Sequence, residues 1–92
     1  MSDVPETAEK IHYICQTYIE FKDARGGLPS LKVDKRFQYT TESAAKDRAE
    51  RENQRKGCEG ADAYMVVEDE GSGEVSSPTF IVRLGNVPED DS

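Results

Sequence analysis

Tryptophan is absent from this 92-residue chain, histidine occurs once and cysteine twice. With one histidine, His12, and no serine, cysteine or carboxylate placed in sequence to form a relay with it, no catalytic triad can be built. Neither Cys15 nor Cys58 has a Cys-x-x-Cys partner or a metal-ligand spacing, which removes zinc, iron–sulfur and thioredoxin-like chemistry. Two cysteines are too few for a disulfide framework, so two free thiols in a reducing compartment are expected. Cys58 follows the C-terminal end of a predicted helix and neighbours Glu59, and both disfavour its thiolate.

Long apolar runs are missing as well. Nothing approaches the ~20 apolar residues that span a bilayer, and no basic start precedes a short apolar segment. A cytoplasmic protein without a membrane partner is therefore expected. Gly26-Gly27 lacks both the following Lys-Ser/Thr and the helix start of a phosphate loop, so nucleotide binding has no support. The run Glu68–Glu74 clusters oxygen ligands around a glycine turn, but its spacing does not match an EF-hand loop. No catalytic, cofactor, metal or small-molecule site is expected.

What the chain has in quantity is charge, with a net value of −7. Such a surface is a poor ligand for nucleic acid or anionic lipid, both of which reward dense Lys and Arg. The charge is uneven: residues 1–56 hold 11 of the 12 basic residues and 10 acids, while residues 57–92 hold Arg83 alone and nine acids.

Apolar residues fall in strand-like runs that outweigh a hydrophobic fraction of 35%. Ile11, Tyr13, Cys15, Thr17, Ile19 and Phe21 alternate with His12, Ile14, Gln16, Tyr18, Glu20 and Lys22, a period-2 pattern over a first strand. Gly26-Gly27 and Pro29 mark a hairpin loop. A second strand over Leu31–Tyr39 puts Leu31, Val33, Phe37 and Tyr39 on one face. A helix is predicted over Glu42–Lys56, with Thr40, Thr41 or Ser43 as N-cap, Gly57 as left-handed C-cap, and Asp47–Arg51 and Glu52–Lys56 as i,i+4 pairs. Its only apolar residues, Ala44, Ala45 and Ala49, make a narrow stripe that suits close packing on a sheet. Ala61–Glu68 is a third, central strand, and Thr79–Leu84 a fourth, with Phe80, Val82 and Leu84 inward.

The predicted fold is α+β: a four-stranded, largely antiparallel sheet in the order ββαββ, with one helix on one face. Residues 1–9 and the acidic tail 88–92 read as disordered, flanking a single domain over 10–87. One helix cannot cover both faces of four strands. Ile14, Tyr18, Tyr64, Val66 and Ile81 are expected on the uncovered face as an apolar interface for a protein partner or a second copy. From another class, the second hairpin carries Glu68, Asp69, Glu70 and Glu74, which could dock a basic partner or imitate a nucleic-acid backbone.

Three segments carry a resemblance: Tyr39–Arg51, Glu70–Glu74, and Phe80–Pro88 with its Phe-Ile-Val-Arg-Leu-Gly-Asn-Val-Pro. Together they resemble short alphaproteobacterial proteins of about this length, over about Tyr13–Glu89. The resemblance implies a bacterial cytoplasmic origin and brings no activity with it.

Overall fold

In the computed structural model, residues 9–22 and 29–88 are described. They form strand β1 (Glu9–Phe21), strand β2 (Ser30–Tyr39), helix α1 (Glu42–Asn53), strand β3 (Gly60–Asp69) and strand β4 (Thr79–Gly85). The sheet order is β2-β1-β3-β4 and every neighbouring pair is antiparallel. This is the expected ββαββ sheet with one helix. Glu9 belongs to β1 and so extends the ordered domain by one residue. The remaining terminal residues, 1–8 and 89–92, and the first hairpin tip, 23–28, lie outside the described residues.

Of the three candidate N-caps, Thr41 caps α1: its Oγ1 accepts from Ala44 N at 3.2 Å. The helix stops at Asn53, before the expected end. Gln54 N and Arg55 N bond three residues back, to Arg51 O and Glu52 O, and this tighter winding leads to Gly57 at φ 92°. Lys56 therefore leaves the helix, and Glu52 pairs instead with Arg48 (3.1 Å) and Arg55 (2.7 Å). Arg55 also reaches Asp34 of β2 at 3.5 Å.

Beneath the helix the core is made of small side chains: Cys15, Ala45, Ala49, Ala61 and Ala63 are fully buried, with Tyr13, Phe37, Tyr39, Ile81, Val82 and Leu84 packed around them. Small residues let the helix backbone approach the two central strands, as the alanine stripe suggested. The gain is modest, since a buried methyl is worth about 0.8 kcal/mol against about 1.5–3 for a whole Leu or Ile side chain.

Two bulges correct the predicted faces. In β2, Thr17 pairs with Lys35 but Tyr18 pairs with Val33, so Asp34 is extra. In β4, Ala63 pairs with Val82 but Tyr64 pairs with Phe80, so Ile81 is extra. Each added residue inverts the alternation beyond it. Leu31 and Val33 therefore share a face with Tyr18, opposite Phe37 and Tyr39, and Val33 is 44% exposed. Ile81 turns under the helix and joins Val82 against the core, while Phe80 turns out. The fully buried Thr17 serves the first bulge, its Oγ1 accepting from Lys35 N at 3.1 Å.

Because the helix sits on alanine, enlarging the seam should force it outward. Ala49→Leu is expected to lower the unfolding free energy by about 1–3 kcal/mol in urea titration, whereas Ala44→Leu, at a half-buried position, should cost clearly less. Equal losses would contradict the close seam.

Candidate interaction site

The sheet face away from α1 is built of transverse rows, because residues paired across antiparallel strands point the same way. One row crosses all four strands: Arg36–Gln16–Asp62–Arg83. The next is Gln38–Ile14–Tyr64–Phe80, followed by His12–Val66 and Lys10–Glu68. On the other side of the Arg36 row stand Val33, Tyr18 and Gly60.

The long row is held by a directional chain of hydrogen bonds. Arg36 Nε and Tyr64 OH both donate to Gln16 Oε1, at 2.9 and 3.1 Å. Gln16 Nε2 donates to Tyr18 OH at 2.8 Å, and Tyr18 OH donates to Asp62 Oδ2 at 3.1 Å. Asp62 is the terminal acceptor and is fully buried. Arg83 Nε lies 3.8 Å from Asp62 Oδ2, beyond a hydrogen bond, and Asp62 Oδ1 has no partner among the described residues. The Arg83 guanidinium stacks on Phe80 at 4.2 Å, and Phe80 meets Tyr64 edge-on at 5.9 Å.

Glycine admits the chain onto this face at one end. A Cβ on Gly60 would strike the backbone carbonyl of Asn86, so the segment after β4 packs against Gly60 beside Tyr18. Gly85, at φ 67°, makes that turn, and Arg83 Nη2 donates to Pro88 O. Tyr18, in the same row as Gly60, is only 6% exposed.

Burial is the largest influence on the titrating groups. It raises the Asp62 carboxyl, against the Tyr18 hydrogen bond and the Arg83 charge, and it pushes Tyr18 up to about 12 despite the Gln16 hydrogen bond. Tyr64 is raised by the same cause. On the helix side, burial pushes the Cys15 thiol up to about 11, so it is protonated near neutrality. Cys15 and Cys58 are free thiols.

Of the five interface candidates, Ile14, Tyr18, Tyr64 and Val66 come together on the open face, and Ile81 does not. Nor is the face a plain apolar patch, since Tyr18 is sunk in the hydrogen-bonded row. Alternation alone puts Gln16, Arg36, Asp62 and Arg83 on this face, where they read as polar breaks in an apolar patch rather than as a bonded row; Phe80, expected inward, is the member that the alternation misplaces.

The four acidic candidates do not form one surface. Glu68 faces His12, whose Nε2 lies 2.8 Å from Glu68 Oε1 and whose Nδ1 lies 2.5 Å from Gln38 Nε2. Asp69 folds into its own turn, its Oδ1 accepting from Gly71 N at 2.9 Å. Asp69 and Glu74 line a shallow depression of about 360 Å³ with Glu9, Val67, Val75 and Ser76, and Glu70 stands exposed in the turn. Among the described residues, no three His, Cys, Asp or Glu side chains are placed to hold a metal ion, and no helix is long and apolar enough to cross a membrane.

No protein-family model, curated protein or solved structure matches the chain.

A buried carboxyl with a raised pKa binds its proton more tightly folded than unfolded, so its contribution to stability falls as pH rises above the ordinary aspartate range. The difference in unfolding free energy between Asp62→Asn and the parent should therefore climb in favour of Asn from pH 4 toward neutrality. Urea titrations across that range measure it. A difference that is flat or falls with pH would refute the buried-carboxylate assignment.

Proposed function

We propose that the chain is a non-enzymatic interaction module that binds a protein through the open sheet face. The observation that carries this reading is the four-strand row Arg36–Gln16–Asp62–Arg83, set in place by hydrogen bonds beside Tyr64 and Phe80 on a face that no helix covers. Tyrosine and arginine dominate binding hot spots because they bury large areas while offering directional donors. Holding them before contact lowers the ordering entropy that association would otherwise cost.

Several features support a binding role over catalysis. Both ring nitrogens of His12 are engaged, by Glu68 and Gln38, so neither is free to take a substrate proton. Cys15 is buried and protonated, and Tyr18 holds its proton to about 12. A net charge of −7 speaks against a nucleic-acid or membrane partner. Two free thiols fit a reducing cytoplasm, where we place the protein.

Photo-crosslinking tests the reading directly. A photoreactive residue at Val33 or Val66 in the cell should give a discrete protein adduct, and one at Glu50, on the exposed outer side of α1, should give none. Adducts from Glu50 alone, or equally from all three sites, would reject the open face.

A further inference from the structure

We infer that the open face binds a second copy of the chain, face to face, about a two-fold axis crossing the strands between the Gln38–Ile14–Tyr64–Phe80 row and the His12–Val66 row. This rests on the reading of that face as a docking surface and adds the identity of the partner.

The first ground is the poverty of the core. The buried hydrophobic residues among those described are Cys15, Tyr18 and four alanines, with no Val, Leu, Ile, Phe or Met. Chains of this size have little burial to spare, and association is a common way to supply more.

The second is the arrangement of the rows. The proposed axis lays Ile14, Tyr64 and Phe80 of one copy against Val66 and His12 of the other, an aromatic and aliphatic middle that is its own complement. It also lays the Arg36–Gln16–Asp62–Arg83 row over the partner's Lys10–Glu68 row. Aligned sheets cross at about 30°. At roughly 10 Å from the axis that angle shifts a residue sideways by about one strand spacing, which, in the sense that opposes unlike charges, places Glu68 over Arg83 and Lys10 over Asp62 of the other copy. A two-fold axis along the strands instead sets Arg36 opposite Arg83, like charge on like. The Asn86 backbone packs on Gly60, beyond the Arg36 row at the Tyr18 end, and Pro88 O meets the Arg83 guanidinium at the margin of the contact.

Area sets the strength. Four strands at about 4.8 Å in the Arg36 and Gln38 rows, but only two at His12 and three at Lys10, give a footprint of roughly 400 Å² per copy. The total of roughly 800 Å² falls below the size at which stable complexes begin and corresponds to a weak, reversible dimer. Sheet-edge pairing is the competing mode, and it is opposed: β2 presents Lys32, Lys35 and Arg36 around its bulge, and β4 is short with its own bulge at Ile81.

Sedimentation equilibrium from about 1 μM to about 1 mM, with circular dichroism confirming that each variant is folded, is the test. The wild-type chain should dimerise reversibly. Val66→Glu should weaken the dimer at least tenfold, and Glu50→Lys, on the exposed outer side of α1, should leave it unchanged. Arg83→Glu and Glu68→Lys should each weaken it, and the double variant should recover most of the loss. A dimer indifferent to Val66→Glu, or a double variant no better than the worse single, overturns the proposed contact. A monomer throughout, with Val33 or Val66 crosslinking to a different protein, overturns the second-copy partner and leaves the open-face reading standing. A monomer without open-face adducts overturns both.

Discussion

Two unpaired residues, Asp34 in β2 and Ile81 in β4, decide what each face of the sheet carries. Strand alternation has a period of two, so one added residue exchanges inside for outside along everything beyond it. Without the bulge at Ile81, Phe80 would lie under the helix and the aromatic pair with Tyr64 would not exist. Without the bulge at Asp34, Val33 would not stand beside Tyr18, and Asp34 would not turn to Arg55 on the helix side. Both bulges lie on edge strands, where an interrupted ladder also discourages pairing with other chains.

The two faces are built on opposite principles. Under the helix, alanines and one cysteine bring backbones close, and the flanking charges are settled in the Asp34–Arg55–Glu52–Arg48 network, with Arg48 stacked 4.0 Å over Phe37. On the other side, a hydrogen-bonded row ends on a buried carboxylate. Such a group gives little net stability, because its desolvation offsets its attraction to Arg83. What it supplies is order: donors from Arg36, Tyr64, Gln16 and Tyr18 all run toward Asp62, which fixes the side chains that a partner would meet.

The ββαββ order, the antiparallel sheet and the helix start were legible because they depend on local signals: period-2 alternation, a threonine cap and glycine turns. The faces of β2 and β4 were not, because a bulge leaves no mark in Leu31–Tyr39 or Thr79–Leu84 and arises from pairing with a distant strand. His12 and Glu68 are 56 residues apart, so their contact required the strand order β1-β3, which local patterning does not specify. The same holds for Gln16 and Asp62. Their polarity reads as solvent exposure until the register sets them side by side and Tyr18 covers the carboxylate. Ile14, Tyr64 and Val66 fall on the face expected for them because β1 and β3 carry no extra residue, so their alternation is intact.

Proton NMR of the free protein tests the bulged register most directly. The account predicts nuclear Overhauser contacts from the Ile81 methyls to the alanine methyls of the helix–sheet core, and from the Phe80 ring to the Tyr64 ring. Contacts from Phe80 to the core alanines, with Ile81 meeting Tyr64, would mean that β4 alternates without interruption and that the open face is not the surface described.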